Sequence, residues 1–168
     1  MASRLLCAAR AAGTLAALCV TACGNDKPRV AESRPPCLDS VDLPCALRHS
    51  PPTFHQIFTE TLRRTCAGGG SSCHSPSGRK GGLFYADPAT DPNAEDDAYA
   101  LLLGNSGARA RVKPGDARCS ELVVRLDAPE SAAWHMPPGS PQAAGERCDI
   151  RQWIQDGAAR GAADAGTP

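Results

Sequence analysis

Residues 66–74 read Cys66-Ala67-Gly68-Gly69-Gly70-Ser71-Ser72-Cys73-His74. Three glycines followed by two serines cannot continue a helix, because Gly loses the most backbone freedom on ordering and Ser competes for backbone groups with its hydroxyl. Just upstream, Thr53 with Gln56 forms a capping box. Phe54, Ile57, Phe58, Thr61 and Leu62 then recur at helical spacing, so a helix is expected over 53–65, ending at this turn. Downstream, Gly81-Gly82-Leu83 and the Pro88 to Pro92 region predict an extended loop. A second helix is expected over 92–103, with Ala98, Leu101 and Leu102 on one face and Gly104 as its stop. A third follows Lys113-Pro114-Gly115-Asp116, with Asp116 placed to cap it and Leu122, Val123 and Leu126 sharing a face. A fourth, over 144–156, carries Ile150, Trp153 and Ile154 and stops at Gly157. No alternating strand pattern and no repeat interrupts this order. The expected fold is all-α, about four short helices joined by long loops.

Composition narrows the function classes. The 168 residues carry 18 Lys+Arg against 18 Asp+Glu, which leaves no electrostatic footprint for nucleic acid. Sixteen Gly, fifteen Pro and only 4% aromatics argue against a large sheet-rich core. Nine Cys point to an oxidising compartment or to chemistry at sulfur.

The N-terminus favours export. Arg4 and Arg10 precede an apolar stretch from Ala11 to Val20 that is too short to span a bilayer. Val20-Thr21-Ala22-Cys23 looks like a bacterial lipobox, which makes 1–22 a lipoprotein signal peptide and Cys23 the lipidated residue of the mature chain. Asp does not directly follow Cys23, which favours the outer membrane over the inner. Acyl chains then supply the membrane affinity, at about 0.8 kcal/mol per buried CH2. Residues 23–50, rich in Pro and charge, read as a tether, 51–160 as the domain and 161–168 as a disordered tail. A local disulfide between Cys37 and Cys45 is expected in the tether. A second, between Cys119 and Cys148, is expected to staple the third helix to the last.

The chemistry concentrates at Cys66, Cys73 and His74. In covalent haem attachment two Cys sulfurs add to porphyrin vinyl groups, and the His directly after the second Cys ligates iron. Here six residues separate the cysteines, a gap that a helix could not bridge. The Gly-rich segment can instead loop out and return Cys66 to the vinyl position. A Cys66–Cys73 disulfide around that loop is the alternative. Zinc is disfavoured because Cys66, Cys73 and His74 lack a fourth ligand. A Cys nucleophile is disfavoured by the absence of a Gly-framed elbow or an orienting third residue. Glu95-Asp96-Asp97 reads as a helix N-terminus without calcium-loop spacing, and His49 and His55 read as solvated.

Together Cys73-His74, Gly81-Gly82-Leu83, Pro114-Gly115-Asp116, Met136-Pro137-Pro138 and Trp153-Ile154 make the chain resemble small bacterial c-type cytochrome domains of secreted lipoproteins. The resemblance covers about residues 53–160, in order. It implies a cytochrome c-like fold with one covalent haem c, Cys66 and Cys73 as thioethers, His74 as proximal iron ligand and Met136 as distal ligand. His135 is the rival to Met136, and the Trp153-Ile154 helix would cover one haem face. The implied activity is single-electron transfer between envelope redox proteins, without catalysis, since a six-coordinate iron offers no open position. The alternative is a haem-free, disulfide-stapled lipoprotein serving as a binding or structural module.

Overall fold

The first helix grows from its cap. Thr53 accepts a hydrogen bond from the Gln56 backbone N–H, while the Gln56 side chain accepts from the Thr53 N–H, which satisfies donors that a helix start leaves orphaned. In this computed structural model, which describes residues 34–68, 73–105, 107–139 and 141–161, helix α1 opens as an α-turn, Phe54–Gln56, and widens into a π-helix, Ile57–Ala67. Its buried face is the expected one: Phe54, Ile57, Phe58, Thr61 and Leu62. Long π-helical runs are rare, and shorter ones concentrate at functional sites. This one delivers Cys66 to the edge of a cavity.

Helix α2 is Ala94–Leu103, with Glu95, Asp96 and Asp97 in its first turn and Gly104 in the left-handed conformation at its end. A Cβ on Gly104 would sit 2.8 Å from the Ala108 carbonyl oxygen and 2.9 Å from the Ala110 nitrogen, so the stop requires Gly for space as well as for φ. Helix α3 is Glu121–Leu126, shorter and later than a cap at Asp116 implies. Asp116 accepts instead from the Cys119 N–H at 3.0 Å, closing the turn before the helix. Ser120, fully buried, then bonds to the Lys113 N–H and the Asp116 carbonyl. Helix α4 is Ala144–Gln155 and buries Cys148, Asp149, Ile150, Trp153 and Ile154. Among the described residues every regular element is a helix and none is a strand, in keeping with an all-α fold.

Phe54 is the hub of the core. It lies 5.0 Å from Tyr99 edge-on, 5.3 Å from Trp153 and 6.1 Å from Phe58, joining α1, α2 and α4 with few aromatics. The Trp153 indole N–H donates to Ala159 O and the Tyr99 hydroxyl to Ala158 O, which ties down the turn after α4.

The disulfides differ from expectation in their partners. All four expected cysteines are bridged, but as Cys37–Cys119 and Cys45–Cys148 rather than Cys37–Cys45 and Cys119–Cys148. The cause is the path of residues 34–50, which do not hang free but run across the ends of α3 and α4. Leu38 N–H donates to Arg118 O at 3.0 Å, beside the first bridge. Next to the second bridge, buried Asp149 accepts from the Arg48 N–H at 2.9 Å and lies 2.9 Å from His49 Nδ1. His49 is therefore held by Asp149, and by Glu60 at 3.4 Å, rather than solvated. His55 is exposed and pairs with Glu95. The two bridges close loops with separations of 82 and 103 residues. The chain-entropy model gives each about 4–5 kcal/mol. The proposed signal peptide, the lipidated Cys23 and residues 162–168 of the tail lie outside the described residues. Among the described residues no helix is long and apolar enough to cross a membrane.

Candidate functional site

The end of α1, the loop after it and the loop before α4 converge on one cavity. The His74 N–H donates to the Cys66 carbonyl at 3.1 Å, which sets Cys66 beside His74 despite their spacing in the chain. The Tyr85 N–H donates to His74 O at 2.8 Å, and Lys80 N–H to Cys73 O at 2.8 Å, fixing the following loop along the same segment. From the other side, Met136 N–H donates to Arg125 O at 3.0 Å, which hangs the Met-Pro-Pro loop on the end of α3.

The cavity measures about 310 Å3, within the usual range for small-molecule sites. Cys66, His74 and Met136 all line it, together with Leu83, Tyr85, Leu122 and Leu126. Lys80, Arg109, Arg111, Glu121 and Arg125 form its charged side, with Gly81 beside them. The structure thus brings together three of the four residues expected at a cofactor. Cys73 is not among the lining residues.

His74 is set as a ligand would be. Its Nδ1–H donates to the Leu83 carbonyl at 3.1 Å, which fixes the tautomer and leaves Nε2 as the ring's lone-pair atom. Burial lowers its pKa, more than the Leu83 carbonyl raises it, and the charges of Arg125 and Arg111 add to the lowering. The ring is neutral at neutral pH, the form that binds metal. Cys66 carries a free thiol. Burial, with a contribution from Glu146, pushes it up to about 12, so it stays protonated and is a poor nucleophile at neutral pH.

Three expectations change here. Cys66 is free while Cys73 is disulfide-bonded, so the alternative Cys66–Cys73 bridge does not form. His135 is buried, donates Nδ1–H to Ala128 O at 2.8 Å and, unlike Met136, is not among the residues that line the cavity. Trp153 packs into the aromatic core with Phe54 and Tyr99 and does not line the cavity either, so α4 does not cover a cofactor face through that residue. Among the described residues no group of three His, Cys, Asp or Glu side chains is placed to hold a metal ion by itself.

The residues that sequence reasoning missed are the charged ones. Glu121, only 8% exposed, accepts from Arg125 Nε at 2.9 Å and from Arg109 Nη2, with Arg34 at 3.9 Å and Arg111 at 3.8 Å. Burial pushes its carboxyl up, but the hydrogen bond and charge of Arg125, with Arg34 and Arg109, outweigh this and hold it below its ordinary value. The i,i+4 spacing of Glu121 and Arg125 was available as a signal; the convergence of Arg109 and Arg111 from a loop was not. No protein-family profile, no curated protein and no solved structure matches the chain.

Proposed function

We propose that the chain is a cytochrome c-like, lipid-anchored electron-transfer protein of the bacterial cell envelope, holding one haem c in the cavity between His74 and Met136. The observation that carries this reading is the convergence of His74, Met136 and the Cys66 thiol on one cavity from separate parts of the chain. A porphyrin would supply four nitrogens to its iron, and His74 and Met136 are the residues that would hold the metal from the protein. An imidazole with its second nitrogen pinned to a carbonyl and a thioether in a Pro-stiffened loop are suited to those positions. Haem, when bound, supplies a one-electron couple, and a His/Met pair raises its reduction potential. The chain's own part is to bind, to orient the imidazole and to exclude water with Leu83, Leu122 and Leu126. Cys66, a free thiol on the cavity wall, would be the residue placed to hold the group through a thioether. The lipid at Cys23 would hold the protein on the membrane, with the outer membrane favoured and envelope redox proteins as partners.

The test is a pyridine haemochrome spectrum of protein exported in cells with the haem-attachment machinery. The proposal expects a covalent haem signature that His74→Ala removes.

One observation favours a second reading, a haem-free, disulfide-stapled module for binding or structural support. Cys73 is disulfide-bonded and so unavailable for a thioether. A colourless exported protein would establish that reading instead.

A further inference from the structure

The cavity's rim carries more positive charge than its own carboxylate answers. Lys80, Arg109, Arg111 and Arg125 line it together with a single acid, Glu121. Arg111 is only 13% exposed and is fixed further by donating to the Arg109 and Gly81 carbonyls. Arg125 divides its donors between Glu121 and the Trp134 carbonyl. Two cations keep donors to spare. Arg109 gives Glu121 one nitrogen of a fork with five N–H donors and is 62% exposed. Lys80 is exposed, and its ammonium has no carboxylate partner among the described residues.

A carboxylate already sits in this cluster in buried form, which shows that the cluster suits such a group; the surplus cations leave room for more. We infer that the rim is a clamp for a ligand bearing two carboxylates on one edge of an apolar body, with Lys80 and Arg109 contacting those carboxylates. Glu121 is then a positioning residue, holding the Arg109 and Arg125 guanidiniums in place. This deepens the haem reading and rests on it. Iron protoporphyrin IX has an apolar body and two carboxylates side by side, and burying either acid without a cationic donor would be costly. Without the clamp, an apolar cavity alone would not choose between the diacid and its neutral ester.

The experiment uses the full chain exported without haem-attachment machinery, its disulfides intact and its helicity checked by circular dichroism. It is titrated by absorbance with iron protoporphyrin IX and separately with the dimethyl ester. The clamp predicts that the diacid binds at least tenfold more tightly than the ester. In Lys80→Gln/Arg109→Gln the ratio should fall toward one; Arg109→Lys should restore part of it, and Glu121→Gln should reduce it. If both porphyrins bind the wild-type chain equally, the clamp is wrong and the haem reading stands. If neither binds the folded chain, both fail. Where the haem-free chain does not fold, the matured protein gives the answer. The double variant should then have a lower midpoint potential than wild type, because removing nearby positive charge favours ferric iron, and the difference should shrink with added salt. An unchanged potential would overturn the clamp.

Discussion

The His74 imidazole is anchored through Nδ1 to the Leu83 carbonyl, 3.1 Å away, so a residue of the Gly-Gly-Leu turn decides which nitrogen of His74 remains available. The two lie nine positions apart, joined by a loop whose backbone is pinned to His74 O and Cys73 O. The Gly-Gly-Leu turn therefore orients the ring.

Acid should destabilise the haem-free chain in two stages. Burial holds the His74 pKa below 6.5, so the folded state favours the neutral ring. Its contribution is present above pH 6.5 and is lost as pH falls through the lower folded value. Glu121 behaves in the same direction: burial raises its pKa, its arginines lower it further, and its contribution is lost as pH falls below 4.5 through the folded value. Urea midpoints measured against pH should show both declines. His74→Gln should flatten the first and Glu121→Gln the second; unaltered profiles would contradict these assignments.

Gly104→Ala should lower the melting temperature by several degrees. A left-handed φ of 78° costs a residue with a Cβ about 1–2 kcal/mol. Backbone atoms of Ala108 and Ala110 at 2.8–2.9 Å add a clash that no side-chain rotation relieves. Calorimetry of the variant measures the sum, and an unchanged melting temperature would mean that the turn after α2 can move.

Of the groups that fasten residues 34–50 to the domain, Asp149 should matter far more than Arg48's ion pairs. Asp149 is 3% exposed and receives two backbone N–H groups as well as His49. Leaving those donors unpaired costs about 1–3 kcal/mol. Arg48 pairs with Glu60 and Glu146 while 35% exposed, and such bridges contribute about 0–1 kcal/mol. Urea denaturation of Asp149→Ala should therefore show the larger loss, and of Arg48→Met a small one. The reverse order would contradict this account of the arm.

Much of the fold was legible because its signals are local. The capping box at Thr53 and Gln56, the apolar face from Phe54 to Leu62 and the Gly104 stop each depend on residues a turn apart. Cysteine pairing was not legible, since it follows the path of residues 34–50 across α3 and α4 and no local pattern records that path. Trp153 misled for a related reason. An apolar face shows that a helix is buried, not whether it meets the core or a cavity. At the site, His74 and Met136 stood out by residue type and setting, whereas the arginines around Glu121 gather only once the chain has folded.

The central claim is that one iron is held between His74 and Met136. X-ray absorption at the iron edge of the oxidised, exported protein tests it most directly. The account predicts one iron per chain with one sulfur and five nitrogen neighbours, the sulfur disappearing in Met136→Ala. Protein free of iron, or iron with no sulfur neighbour in the wild-type chain, would contradict it.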